Sequence, residues 1–365
     1  MSEAAVKLPA LKREEQAASL PGAACPLPIT QHEQIVLGHG SGGKLSAQLL
    51  ERVFLPAFSN ALLDKLDDQA VLHINGARLA FTTDAFVVTP IFFPGGDIGR
   101  LAVNGTVNDL AMSGARPLYL AAAFILEEGL ATEDLRRIVG SMSDAANNAG
   151  VQLVAGDTKV VNKGKGDQIF ISTTGIGVVE KPVNISADRA RPGDRIILSG
   201  YIGDHGMAIL SQRENLEFEG VIESDCAALH ELVGDMLDVC LDLHCLRDPT
   251  RGGVATVLNE IAARSRVGML VQETELPVRD TVRGACEVLG LDPLYVANEG
   301  KLIAVVPAGR ADAIVKKMQQ NALGRDARII GEVVADHPGM VLMKTEIGGT
   351  RVLDTLFGEQ LPRIC

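Results

Sequence analysis

Apolar positions along the chain switch between two periods, and each switch predicts a boundary. Ile35-Val36-Leu37 is a short apolar run, and beyond the glycines that follow it Leu45, Leu49, Leu50 and Val53 recur at helical spacing. Runs of apolar and β-branched residues predict strands over Leu79 to Thr89, Pro117 to Leu126, Val151 to Val161 and Gln168 to Val179. Ile98 to Gly114 reads as a helix, and Glu133 to Ala149 as an amphipathic one. Strands and helices in this proportion predict a first α+β domain over residues 35–184. Arg191-Pro192-Gly193-Asp194 punctuates the chain, and Arg195 to Ser199 restarts it as a strand. Further strands are expected at about 268–276, 301–307, 327–334 and 340–344, with helices at about 205–214, 225–239, 254–264, 278–289 and 311–321. Leu246 to Gly253 reads as a tight turn feeding one of these helices. They predict a second α+β domain over residues 185–344, followed by a mobile tail, 345–365. Residues 1–34, rich in Ala, Glu and Pro, read as a loosely held extension.

A length of 365 residues fits two such domains better than one core. Hydrophobic residues make up 47% and tryptophan is absent, so the cores must be built from Ala, Val, Leu and Ile. The formal net charge of -12 argues against nucleic acid or an anionic membrane as partner. A small anionic substrate stays open, because a glycine loop, a lysine or a bound metal can reverse the local field. No apolar run reaches the ~18 residues needed to span a bilayer, and Met1 to Gln34 lacks the apolar core of a signal peptide. Of six cysteines none forms a Cys-x-x-Cys pair, which points to a reduced, cytoplasmic protein. Cys240, His244 and Cys245 lack a second ligand pair and read as ordinary residues near a helix end.

Three features could carry chemistry. Gly38-His39-Gly40-Ser41-Gly42-Gly43-Lys44 has the glycines of a phosphate-binding loop. The Ser or Thr that a true P-loop places after the lysine is Leu45 here, so a glycine-rich flap over phosphates is the better reading. Asp84, Asp109 and Asp157 interrupt apolar stretches, and Asp248 sits in the glycine-bounded turn. A cap or turn role explains any one of them, but carboxylates near apolar cores must be paired or metal-bound. Magnesium shared with nucleotide phosphates would satisfy them, with Lys44, Lys159 and Arg251 as charge partners of the phosphates. Finally, the chain stops on Cys365. The nine residues from Phe357 span roughly 30 Å when extended, enough to carry a sulfur into a cleft. Pro362 would stiffen that arm and Arg363 would offer an anion-binding fork.

His39 to Lys44, Thr83-Asp84, Phe92 to Gly96, Asn108-Asp109, Gly156 to Val161, Gly203 to Gly206, Asp248 to Gly253, Ala297 to Lys301 and Pro362-Arg363-Ile364-Cys365 together carry a resemblance. From about Ile35 to its end the chain resembles the HypE family of hydrogenase maturation factors. That family is a branch of the superfamily of aminoimidazole ribonucleotide synthetase and selenophosphate synthetase. The resemblance implies two α/β-mixed domains of the synthetase type with a flexible C-terminal tail, and an ATP- and Mg2+-dependent carbamoyl dehydratase. A HypF-type carbamoyltransferase would load Cys365, dehydration would give a thiocyanate, and a HypC-HypD type scaffold would accept the cyanide for the iron of NiFe-hydrogenase. Asp84, Asp109 and Asp248 would hold magnesium. Gly40, Ser41, Gly42, Gly43 and Lys44 would cover the phosphates, and Asn108, Asp157, Thr158 and Arg251 would complete the nucleotide site. Glu299 is the candidate base, with Lys159 beside it to orient the carbonyl and His205 as a weaker alternative. The resemblance also implies a homodimer.

A selenophosphate synthetase would be expected to carry a reactive cysteine or selenocysteine where this flap has Ser41-Gly42-Gly43. A non-catalytic thiol carrier would need neither Glu299 nor ATP turnover.

Overall fold

Lys44–Leu49 (α1) begins where glycines give way to helix-spaced leucines, and runs through a π-helical turn, Leu50–Phe54, into Leu55–Phe58 (α2). The computed structural model describes residues 34–216, 220–358 and 364–365. Residues 1–33 of the extension, with Cys25, and Pro362 and Arg363 of the tail lie outside the described residues. Ala70–Ile74 (β1) and Ala77–Phe86 (β2) form a hairpin about Asn75-Gly76, both at positive φ (49° and 82°), the backbone that a two-residue hairpin turn requires. Phe92–Phe93 (β3) pairs with Gly96–Asp97 (β4), which leads into Ile98–Ala111 (α3). Asp97 caps α3, its Oδ1 accepting from the N–H groups of Gly99 and Arg100 at 2.8 and 3.1 Å. Arg116–Glu127 (β5), Thr132–Asn148 (α4), Gln152–Val161 (β6) and Ile169–Val178 (β7) complete the first half.

Its sheet has the order β1-β2-β7-β5-β6, parallel only between β5 and β6. Strand alternation sends Phe86, Leu120, Ala122 and Ile171 to the face covered by α3 and α4, where Leu101, Val103, Val107, Ile138 and Met142 meet them. The opposite face carries Phe81, Ile176 and Tyr119 in one cross-strand row, all exposed.

The second half comprises Arg195–Leu198 (β8), Asp204–Arg213 (α5), His230–Val239 (α6), Cys245–Arg247 (β9), Gly253–Ser265 (α7), Gly268–Gln272 (β10), Asp280–Leu289 (α8), Ile303–Val306 (β11), Ala308–Met318 (α9), Arg328–Val334 (β12), Val341–Lys344 (β13) and Thr350–Leu353 (β14). Sheet order is β14-β13-β10-β12-β8-β11-β9, with β10 and β13 parallel. Period-2 alternation divides β8 and β11 between two cores. Ile197, Ala304 and Val306 face α6 and α9, while Ile196, Leu198, Ile303 and Val305 face α7. Leu110 and Met112, at the end of α3, enter the same core as Leu232, Val233 and Met236 of α6. Apolar packing therefore runs from one half into the other, and Leu37 to Cys365 form one unit.

The structure changes three expectations. The helix expected from about 225 begins at His230, because the backbone before it makes tertiary bonds instead: Ala227 N–H donates to the Glu299 carbonyl and Leu229 N–H to Asn108 Oδ1. Cys245–Arg247, read as part of a turn, pairs with β11. The tail does not start at 345, since Thr350–Leu353 pairs with β13 and buries Leu353.

Candidate active site

Three elements aim carboxylates at one point between the halves. Asp84 lies on β2, Asp109 near the end of α3, and Asp248 just after β9. The turn from Asp248 folds back through Gly252 and Gly253, both at positive φ (77° and 63°). A Cβ on Gly253 would sit 2.5 Å from the Leu294 carbonyl, so that close approach requires glycine. Facing the turn, Asn298 accepts from Gly203 N–H (2.8 Å) and donates to the Pro249 carbonyl (2.9 Å). These bonds fix the loop that presents Glu299. Beneath it Asp225 accepts from Glu299 N–H (3.0 Å) and pairs with Lys301 (3.1 Å).

Asp84, Asp109, Asp248, Arg251, Glu299 and Cys365 all line a cavity of about 30 Å³, room for a water-sized species. It adjoins a larger cleft of about 300 Å³ lined by Gly40, Ser41, Gly43, Val87, Arg251, Tyr295 and Cys365. The terminal residues are seated there. Val87 N–H donates to the main-chain oxygen of Cys365 (3.0 Å), Ile364 bridges Val88, and the Ile364 side chain is buried with Phe86 and Val88. Cys365 and Glu299 thus face one small cavity.

Burial dominates the electrostatics. It pushes Asp109 well above the usual carboxylate range, with Asp248, Asp84 and Asp68 adding like-charge repulsion. Burial takes Asp248 up to about 6 against the opposing pull of Arg247. Asp84 is raised by burial, which Arg251 and the Ala85 N–H partly offset. Burial, then Asp248, Asp225 and Asp84, hold Glu299 well above its ordinary value, with Arg251 opposing. The Cys365 thiol is held neutral by burial despite Arg251.

Asp68, Asp109 and Asp248 each place one oxygen within 4.8 Å of the others. Asp68 Oδ2 is buried without a hydrogen-bond partner, though Oδ1 pairs with Arg247 at 3.0 Å. Three converging carboxylates, one with an orphaned oxygen, form a donor set that suits a hard divalent cation. Sequence reasoning missed Asp68. Its signal was the Asp67-Asp68 pair, separated by Gln69 from β1, a strand too short to show in the hydrophobic period.

Several expected residues are placed elsewhere. Asn108, expected beside the nucleotide, has its amide committed to main chain. Nδ2 donates to the carbonyls of Ala227 (3.0 Å) and Glu299 (3.3 Å), and Oδ1 accepts from Leu229. It braces α3 against the Glu299 loop. Asp157, Thr158 and Lys159 lie on the edge strand β6, where Lys159 and Asp157 form an exposed pair (2.6 Å). Lys159 is therefore not beside Glu299 within one chain. His205 does not line the small cavity; Nε2 lies 2.8 Å from the Ile364 carbonyl and Nδ1 2.8 Å from Ser224 Oγ. With both ring nitrogens engaged, it is not poised as a base. The flap lies against the root of the tail: Lys44 N–H donates to the Leu356 carbonyl (2.8 Å), Lys44 Nζ pairs with Asp354 (2.6 Å), and Arg251 donates to the Gly40 carbonyl (2.9 Å).

Family models bracket this site from both halves. Residues 66–179 match the AIR synthase related protein, N-terminal domain, and residues 191–343 the AIR synthase related protein, C-terminal domain. The chain is 58% identical over 333 residues to the carbamoyl dehydratase HypE of Cupriavidus necator, covering 91% of this chain and 95% of the relative. Among solved structures it is similar to a HypE-HypF complex (TM-score 0.81, 50% identity, 84% of this chain and 99% of that one). It is also similar to the hydrogenase maturation protein HypE in complex with ATP (TM-score 0.77, 51% identity, 91% and 100%).

Proposed function

The chain belongs to the carbamoyl dehydratase HypE family, within the AIR synthase related proteins, and from that premise we propose that it dehydrates a carbamoyl group carried on its own Cys365. The reaction consumes ATP and serves the maturation of NiFe-hydrogenase. One observation carries the assignment to these residues: Cys365 lines the same cavity as Glu299 and the converging carboxylates.

The chemistry follows from the weak leaving ability of an amide oxygen. The carbonyl oxygen of –S–CO–NH2 takes the γ-phosphoryl group of ATP while the nitrogen loses one proton, giving an iminophosphate and ADP. Loss of the second N–H proton with departure of phosphate leaves –S–C≡N. The oxygen of the departing water is thus carried away on phosphate. Glu299, raised in pKa and lining the same cavity as Cys365, accepts a proton from the carbamoyl nitrogen. Arg251, between the flap and Cys365, balances charge on the transferring phosphoryl group. Gly40 to Lys44 cover the phosphates. Holding the substrate on the chain's own last residue makes the step intramolecular and raises its effective concentration.

Asp109, Asp248 and either Asp84 or the newly found Asp68 would hold the magnesium ion that neutralises phosphate charge when bound. A HypF-type carbamoyltransferase loads the sulfur, a HypC-HypD type complex accepts the cyanide, and the work is done in the cytoplasm. Among the described residues no helix is long and apolar enough to cross a membrane. A homodimer through the first sheet is supported by the exposed row Phe81, Ile176 and Tyr119 and by the place of β6 at the sheet's edge among the described residues.

The test starts from protein carbamoylated at Cys365, by cyanate or by the carbamoyltransferase, and freed of excess reagent. Mg-ATP should remove the mass of one water from the C-terminal peptide, and a control without ATP should not change. A carbamoyl group that persists on Cys365 in ATP-bound protein would overturn the dehydratase and leave a thiol carrier.

A further inference from the structure

A tail that must visit a loading enzyme, a cleft and an acceptor needs an anchor that holds it in place yet lets go. Two of its contacts in the cleft are generic: the main-chain bridge to Val87 and Val88, and the apolar seat of Ile364. The third is a side-chain hydrogen bond to the peptide carbonyl one residue before the sulfur, from His205 Nε2 to Ile364 at 2.8 Å. A carbonyl only accepts, so Nε2 carries the proton. Nδ1 then accepts from the hydroxyl of Ser224, whose oxygen in turn accepts from Cys226 N–H (3.1 Å). The edge-on ring of Phe93, 5.6 Å away, closes one side of the imidazole. Burial holds His205 below its ordinary pKa, in keeping with this neutral tautomer.

The residues that hold the imidazole also hold the base. His205 stands in the first turn of α5, whose entry residue Gly203 donates to Asn298 Oδ1, and Gly206 N–H donates to the Ala297 carbonyl. Asn298 is the residue before Glu299. Ser224 is likewise one residue from Asp225, which accepts from Glu299 N–H. A group on Cys365 is therefore registered against Glu299 through one short frame.

We propose that His205 is a positioning residue, a latch that pins the Ile364 carbonyl and so sets the dwell of Cys365 beside Glu299. It touches neither the carbamoyl group nor ATP. A single neutral bond suits a reversible latch, and its loss strands a buried carbonyl, which together should shift the seated-to-released ratio by about tenfold or more.

Only the effect on dehydration rests on the function proposed above; the latch itself is read on the thiol. Full-length protein is pulsed with a maleimide, and modification of Cys365 is followed by peptide mass. His205→Phe should label about tenfold faster than the parent protein, and His205→Gln, which keeps a donor near Nε2, should label close to the parent rate. Ser224→Ala, a milder change that frees the imidazole to turn, should label severalfold faster, and it serves if His205→Phe does not fold. In single turnover of the carbamoylated protein, His205→Phe should be slow and His205→Gln largely restored, with ATP affinity unchanged in both. Parent-rate labelling in folded His205→Phe or in Ser224→Ala, or His205→Gln as fast as His205→Phe, overturns the latch. If labelling behaves as expected while no form of the protein dehydrates, the latch stands and the dehydratase reading falls.

Discussion

Glu299 is held in a state that ordinary carboxylates avoid. It is 3% exposed, one of its oxygens has no hydrogen-bond partner, and three aspartates lie near enough to raise its pKa. A base with a raised pKa accepts protons more strongly, but it must first be ionised. Activity should therefore be present above the raised pKa and be lost as pH falls through it, above the usual glutamate range. The folding term runs the other way: the neutral form is favoured in the folded chain, so its stabilisation is full at low pH and fades as pH rises through the same value. Glu299→Gln keeps the shape and removes both effects. Single-turnover dehydration should fall by roughly 10²–10⁴-fold, ATP affinity should hold, and thermal stability near neutral pH should be equal or higher. A variant that retained near-parent rates would remove Glu299 from the chemistry.

At the scale of elements, α3 matters most, because it carries Asp109 toward the cavity and Asn108 toward the other half. Asn108→Ala deletes hydrogen bonds to Ala227, Leu229 and Glu299, all main chain. The Ala227 carbonyl and the Leu229 N–H would lose their partner while the Glu299 carbonyl keeps only the longer bond from Ala227 N–H, a loss of about 2–4 kcal/mol. Denaturant unfolding should show that drop, and activity should fall with it because the Glu299 loop loosens. Had Asn108 been a nucleotide ligand only, ATP affinity would fall while stability stayed put. The apolar pattern revealed α3 itself, as it did α4, β5 and β7, because these elements are long; α4 packs by one face, whereas α3 is buried on nearly all sides. Short elements were illegible for physical reasons. β1 has only five residues, and its signal was the Asn75-Gly76 turn, not a period. β9 has three residues and exists because β11 offers it an edge. Residues 225–229 look helical in isolation, but their backbone groups are claimed by Asn108 and Glu299. The same limit applied to the site. Glycines, aspartates and the last cysteine stood out by composition, whereas Asp68 and the roles of Asn108 and His205 depend on contacts between residues far apart in sequence.

At the scale of the molecule, the acidic cluster lies across both halves, with Asp68 and Asp109 from the first and Asp248 from the second. Ionised together and without a cation, they push the halves apart. Asp248 illustrates the sign. Its folded pKa is about 6 against an ordinary 3.8, so the favourable contribution is fully present below the unfolded value and lost as pH rises through about 6. That loss is on the order of 3 kcal/mol for this residue, before the coupled Asp109 is counted. A divalent cation at the cluster would restore stability where the carboxylates are ionised, and would have little to bind where they are protonated. Magnesium alone should therefore raise the melting temperature by a few degrees at pH 8 and by much less at pH 5, as seen in thermal unfolding without nucleotide. Asp248→Asn separates the two effects, since it removes a repelling charge and a ligand at once. The metal-free variant should be more stable than the parent at pH 8, and magnesium should no longer shift it. A variant that still responded fully to magnesium would place the ion elsewhere. One destabilised at pH 8 without metal would show that Asp248 is held by its partners more strongly than it is repelled.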